Sequence, residues 1–504
     1  MNENNTNIDD GNNELLSNDK KVITTKEKSI GINSFFYLIY TALNMVFPLI
    51  TGIYVTRVLL PSNIGQVETA FNLVQYFVIL SFLGIPTYGL REIAKYRNDK
   101  IELNRIYSEL RIINNISTAI CLLLYILLIF IVPVYRENYF VFLIVGILIF
   151  LNFFNNGWLF EGLEEFGYIS LRNILFKILS FVLLVIFVKD NDDYYIYAFI
   201  LTFGTAGNYL LNIFHSRKYV KFTFKDLNIK RHLKSIMFLV FVNLAIEIYM
   251  LVDVTMLSFM CDKEVVAYYT YGMKVYRILI QLLNTFTMVL VPRIALYYKE
   301  NRLKDMNNLL SNTLIILTMF SLPIIVGVLF TSDYLIPLVY GQSYVRSVLV
   351  LKIMCFICVI SPIGYLLGSR ILLITGNESK MVYAVGSGAI ANIILNSVLI
   401  YFFDEVGAAT ASLISEIIVM VIYLILGKKY FKIDNIISSI IKILLSLLVM
   451  TAFCFAINGF INDVMIKTII QIAGSIILYF SSLLLMKEKI CTVFLKKFLR
   501  RIGL

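Results

Sequence analysis

The chain has 504 residues, 59% of them hydrophobic and 15% charged, with a formal net charge of +11 and a mean hydropathy of +0.80. This is too apolar and too sparsely charged for a soluble domain. The apolar residues fall in continuous runs of about 20, the length of a helix that crosses about 30 Å of hydrocarbon, and the alternating ten-residue strands of a barrel are absent, so the chain reads as an all-α polytopic membrane protein.

Residues 1–29 are rich in Asn and Asp, lack the apolar core of a signal peptide and read as a disordered cytoplasmic tail. Fourteen candidate spans follow, at 30–54, 65–90, 110–134, 139–160, 167–188, 194–214, 235–260, 265–291, 309–331, 347–371, 380–403, 405–427, 437–459 and 464–486. Cations gather in alternate loops. Arg91, Lys95, Arg97, Lys100, Arg105 and Arg111 follow the second span, seven Lys and Arg residues lie within 215–234, and Arg293, Lys299, Arg302 and Lys304 follow the eighth. The intervening loops hold single cations such as Arg136, Lys189 and Lys263. The positive-inside rule then places both termini in the cytoplasm and accounts for the net charge by topology and lipid headgroups, not by nucleic acid. The basic stretch 215–234 divides a first lobe, 30–214, from a second, 235–427. Two more spans within 437–486 and a basic tail, 487–504, complete the chain.

A shift of 202 positions lays the second span on the eighth and places Arg91 on Arg293, Tyr96 on Tyr298 and Arg97 on Lys299, which suggests an internal repeat. In the eighth span, Thr270, Lys274, Arg277, Gln281 and Asn284 recur at intervals of four and three, one face of a helix. Glu68, Asn72 and Gln75 occupy the matching positions of the second span. Such stripes are either glue between helices or the wall of a wet cavity. A charge at mid-bilayer costs about 2.5–3.5 kcal/mol on insertion scales, so Lys274 and Arg277 need a cavity or a partner, and Glu247 in the seventh span is the expected partner. Lys177, Asp253 and Glu416 lie at similar depth, and Arg57 closes the first span within reach of water. Pro48, Pro86, Pro323 and Pro362 are placed to bend helices. The six cysteines show no disulfide framework. Cys355 and Cys358 have apolar neighbours, and His215 and His232 are the sole histidines, so no metal or other cofactor is expected.

The stretches "PLITGIYVTRVLLPSNIGQVETAFNLVQYFVILSFLGIPTYGLREIAKYR" (48–97), "WLFEGLEEFGYISLRN" (158–173), "VDVTMLSFMCDKEVVAYYTYGMKVYRI" (252–278) and "GAATASLISE" (407–416) resemble the polysaccharide-transporter, Wzx-type flippases of the multidrug/oligosaccharidyl-lipid/polysaccharide exporter superfamily. The resemblance implies two six-helix lobes around a central cavity, with two helices appended. It implies no enzyme activity. The expected cargo is an oligosaccharide unit on polyprenyl pyrophosphate, with a polysaccharide polymerase as partner and proton or sodium coupling. Arg57, Lys177, Lys274 and Arg277 match the cationic cavity of that family in depth, with Gln281, Asn284, Glu68, Asn72 and Gln75 beside them, and Glu247, Asp253 and Glu416 are the coupling candidates. The alternatives are a cation-coupled drug exporter of the same superfamily, which favours acidic cavities, a membrane enzyme acting on lipid-linked sugars, which needs a polar catalytic loop, and a channel or scaffold.

Overall fold

A computed structural model describes residues 30–288, 290–433, 436–461 and 463–493. The tail expected at 1–29 and the end of the basic tail lie outside the described residues. The first half of the chain runs through α1 (Ile30–Val58), α2 (Pro61–Phe82), α3 (Ile85–Tyr96), α4 (Lys100–Ile131), α5 (Pro133–Arg136), α6 (Tyr139–Leu151), α7 (Gly157–Gly162), α8 (Phe166–Phe187), α9 (Tyr194–Ala206) and α10 (Leu210–Ser216). The second half runs through α11 (Lys230–Met260), α12 (Lys263–Met288), α13 (Val291–Lys299), α14 (Leu303–Tyr340), α15 (Ser347–Met354), α16 (Ile357–Gly364), α17 (Arg370–Ile374) and α18 (Glu378–Gly427). The last two helices are α19 (Ile437–Phe460) and α20 (Val464–Leu485), which pack on each other and on α14.

Each of the fourteen expected segments coincides with helical structure. The second expected span, 65–90, breaks where Leu83 (φ 49°) and Gly84 (φ 73°) take left-handed backbone, so α2 ends and Pro86 opens α3. Pro86 therefore starts a helix and does not bend one, because proline at the first turn gives up an N–H that has no helical partner. Pro48, Pro323 and Pro362 do lie inside helices. Within α18, Asp404 (φ 48°, ψ −127°) reverses the chain, and a Cβ on Gly407 would meet the Leu399 carbonyl oxygen at 2.1 Å. The spans expected at 380–403 and 405–427 are thus the two arms of a tight hairpin.

Ten helical stretches among the described residues are long and apolar enough to cross a membrane, and one of them, the α18 hairpin, holds two of the expected spans. The expected spans outside those ten stretches are α6, which has 13 residues, α11, and α12, whose apolar character is diluted by Lys274, Arg277, Gln281 and Asn284. Lipid-facing rows such as Leu123, Leu124, Leu127, Phe130 and Ile131 on α4 are exposed on the outside of the bundle, as a hydrocarbon solvent requires.

The repeat read from the sequence reappears in the element bounds. Shifted by 202, α2 falls on 263–284 against the observed Lys263–Met288, and α3 falls on 287–298 against Val291–Lys299. The helices alternate between two faces. Face A carries the turns near residues 59, 191, 262 and 342, and face B carries those near residues 98, 301 and 376 and the stretch 217–229. Near face A the halves share one apolar cluster, with Val55, Ile64 and Val67 of the first half and Tyr268, Tyr271, Tyr340 and Tyr344 of the second. Toward face B the clusters separate. One holds Ile85, Leu103 and Trp158, joined by Ile236 and Val240 of α11, and the other holds Ile294, Leu310 and Leu366.

Candidate functional site at the seam between the halves

The seam is built on α2, which packs against both α11 and α12. Its closest approach is at Gly65, where a Cβ would lie 1.7 Å from the Lys263 carbonyl oxygen, so the α12 backbone rests directly on that glycine. About one turn along α2 from Gly65 and about three along α12 from Lys263, Lys274 Nζ donates to Glu68 Oε1 at 2.5 Å and stands 4.0 Å from the centre of the Tyr271 ring. Tyr271 is buried against Tyr340 and Tyr344, so the ammonium is held between a carboxylate and a π face. Asn72 donates to Thr255 Oγ1 at 2.7 Å, and the Tyr76 hydroxyl meets the same oxygen at 2.9 Å. Arg57 donates to the Leu338 carbonyl at 2.8 Å, and Lys263 pairs with Glu137 at 3.1 Å, both nearer face A.

These contacts correct the expected pairing. The partner of Lys274 is Glu68 of the other half, not Glu247 of the adjacent helix, and no ion pair within 4 Å joins Glu247 to Lys274 or Arg277 among the described residues. The sequence reading placed Glu68 on Thr270 and Asn72 on Lys274 of the repeated helices. It did not anticipate that α2 and α12 pack on each other, which brings Glu68 to Lys274, one turn beyond its repeat-equivalent Thr270. Beyond Lys274 the stripe opens: Arg277 and Gln281 are exposed, while Gln75, Asn284 and Glu247 are half-buried.

The other candidates are gathered elsewhere. Lys177 on α8 donates to Asn44 Oδ1 at 2.5 Å and lies 5.1 Å from the Phe47 ring. It opens on a cavity of about 310 Å³ inside the first half, whose wall also holds Asn155, Glu161, Arg172 and Asn173. Asp253 is 7% exposed inside the second half. Its Oδ2 accepts from the Tyr269 hydroxyl and the Ser412 hydroxyl, both at 2.5 Å, and its Oδ1 accepts from Asn396 Nδ2 at 2.7 Å. Asn396 Nδ2 also donates to Asn392 Oδ1 at 3.1 Å, and Asn396 Oδ1 is buried without a hydrogen-bond partner. Glu416 accepts from the Tyr249 hydroxyl at 3.1 Å. The twelve residues therefore form an inter-half seam, a cationic cavity in the first half and carboxylate sites in the second.

Several partners were missed. Asn392 and Asn396 sit four apart in an otherwise apolar run, a spacing that marks one polar helical face and was readable. Thr255, Tyr249 and Glu161 carried no comparable signal, since their roles depend on which helices meet. Among the described residues no group of three or more His, Cys, Asp or Glu side chains is placed to hold a metal ion.

Paired helical halves with polar and ionised side chains facing one another across an internal seam define a polytopic membrane transporter. The profile of the polysaccharide biosynthesis protein family matches residues 30–298, more than half of the chain, and the MatE profile matches residues 239–398. The chain belongs to the polysaccharide biosynthesis protein family, as a Wzx-type member of the multidrug/oligosaccharidyl-lipid/polysaccharide exporter superfamily, and it is a transporter and not an enzyme. A protein of Escherichia coli (strain K12) named "Putative O-antigen transporter" is 25% identical over 415 residues, which cover 79% of this chain and 96% of that protein. Among solved structures, a lipid II flippase MurJ in an inward closed conformation matches with a TM-score of 0.69 at 18% identity, covering 93% of this chain and 100% of that one. An inward-facing multidrug resistance MATE transporter matches with a TM-score of 0.61 at 16% identity, covering 78% and 97%.

Proposed function

We propose that the protein moves oligosaccharide units linked to polyprenyl pyrophosphate across the cytoplasmic membrane by alternating access, with face B and both termini in the cytoplasm. The family, the O-antigen relative and the cation asymmetry of the loops support this reading. The observation that carries the mechanism is the Lys274–Glu68 pair at the seam. A pyrophosphate entering from face B meets Arg277 first, then competes with Glu68 for the Lys274 ammonium. As Lys274 turns to the anion, Glu68 is left at the seam without its counter-charge, and the closed α2–α12 contact loses its favourable term. Substrate binding thereby loosens the face A seam, and the halves rock about the 215–234 linker. Lys177, in its own cavity, offers a second cation to the cargo. Asp253, Glu247 and Glu416 are the coupling candidates, because a carboxylate at this depth can take up a proton or a small cation as the halves move.

The test separates a latch from a binding group. Surface glycan is measured in cells that lack the native flippase, alongside the amount of folded protein in the membrane. Lys274→Ala is expected to lower glycan without lowering protein. The double change Lys274→Gln with Glu68→Gln removes both ends of the pair and should remain deficient. Full transport in that double variant would mean that Lys274 serves the seam alone and would remove the pyrophosphate-binding role.

A further inference from the structure

A second basic pocket lies away from the seam, on face B of the first half. It has a volume of about 440 Å³ and lies between α4, α10 and the stretch that follows α10. Three cations line it, Arg111, Arg217 and Lys221, and no carboxylate does. None of the three forms an ion pair within 4 Å of a carboxylate among the described residues, although the linker next to them is rich in such pairs, with Arg231 on Glu102 and Glu109. Arg111 is held in place from behind by neutral groups. Its Nη1 donates to Asn156 Oδ1, and Asn156 Nδ2 donates to the Tyr107 hydroxyl at 3.3 Å. A half-buried guanidinium oriented by an amide, with two exposed cations across a cleft, is a preformed anion site.

The rim shows where the anion comes from. Phe222 lines the pocket with its ring 4.9 Å from that of Phe224, and the Arg217 guanidinium lies 5.8 Å from the Phe214 ring; the three rings are 46%, 80% and 69% exposed, a density of bare aromatic surface that water does not favour and a lipid interface does. We propose that the pocket binds the phosphate headgroup of an anionic membrane lipid, with Arg111, Arg217 and Lys221 around the phosphate oxygens and the three phenylalanines seated at the acyl boundary. Lys221 is also tied to the bundle, since its backbone N–H donates to Asn104 Oδ1 at 2.8 Å, so an occupied pocket would fasten the start of the 217–229 stretch to α4. The proposal does not depend on what the seam carries.

The full-length protein in a neutral detergent is heated with added phosphatidylglycerol, with phosphatidylcholine, or with inorganic phosphate at matched concentration. Phosphatidylglycerol is expected to raise the melting temperature by roughly 2–5 °C, since a ligand that binds only the folded state stabilises it by mass action. Phosphatidylcholine and inorganic phosphate should leave it unchanged. Arg217→Gln with Lys221→Gln, both exposed and distant from the core, should melt as the parent does without lipid and lose most of the phosphatidylglycerol shift. Lys299→Gln with Lys304→Gln, on face B of the other half, should keep it. Equal shifts with phosphatidylcholine, a shift with inorganic phosphate as large as that with the lipid, or an undiminished shift in the Arg217 and Lys221 double variant would each overturn the assignment.

Discussion

Glu109 and Asp253 are both buried carboxylates, 0% and 7% exposed, and they keep opposite company. Glu109, near face B, accepts from Arg231 Nε at 2.9 Å and Nη2 at 2.6 Å and from the backbone N–H of Asn228 at 2.5 Å, and lies 2.6 Å from His232 Nε2. Asp253 accepts from two hydroxyls and an amide, and no cation lies within 4 Å of it among the described residues. A carboxylate matched by a guanidinium is committed to its charge and holds structure. One surrounded by neutral donors has its hydrogen bonds satisfied and no counter-charge beside it. The first clamps the base of α11 to the first half, and the second is the one proposed for energy coupling.

The sharpest way to break this contrast is to remove each carboxylate. Glu109→Ala is expected to cost about 3 kcal/mol, because it takes the acceptor from the buried His232 imidazole and from the Asn228 N–H, while Arg231 keeps only Glu102. Thermal unfolding in detergent and the yield of folded protein would register it. A milder cost than that of Asp253→Ala would refute the assignment of the clamp. At the seam, Gly65→Val should cost about 1–3 kcal/mol by overpacking against the Lys263 carbonyl. In the proposed cycle that contact belongs to the state closed at face A, so cysteine cross-links across face A should form more slowly in the variant.

Smaller in stability but larger in function is Asp253→Asn. The side chain keeps its shape, so the fold should lose only about 1 kcal/mol, while transport in reconstituted vesicles should no longer respond to an imposed proton or sodium gradient. A parent-like gradient response in Asp253→Asn and in Glu247→Gln would end the coupling role of both. The least effect is expected of Arg57→Gln. Arg57 is exposed and makes one bond, to the Leu338 carbonyl, so its loss should stay within about 0.5 kcal/mol in unfolding and leave glycan export near the parent level.

Much of the architecture was legible because the bilayer imposes a simple code of apolar length and flanking charge. The position of the α18 reversal at Asp404 followed from the gap between two apolar runs, and the shift of 202 read from the sequence also relates the first residue of α2 to that of α12. The break at Leu83–Gly84 was not anticipated, because the apolar run continues through it and its cause is a close approach: a Cβ on Gly84 would lie 2.8 Å from Leu239 Cβ on α11.

The candidate site divides in the same way. That Lys274, Lys177, Asp253 and Glu416 are ionisable groups deep within apolar runs was determined by sequence, and their depth sets the cost of leaving them bare. Which partners they take was decided by tertiary structure. Glu68 reaches Lys274 across 206 positions of chain, Asn396 and Ser412 reach Asp253 across 143 and 159, and Tyr249 reaches Glu416 across 167. Hydropathy is a property of one segment, while a hydrogen bond needs two segments at a given rotation and depth. That rotation is set by the packing of whole helices, at points such as the bare backbone of Gly65, and no local pattern in the chain records it.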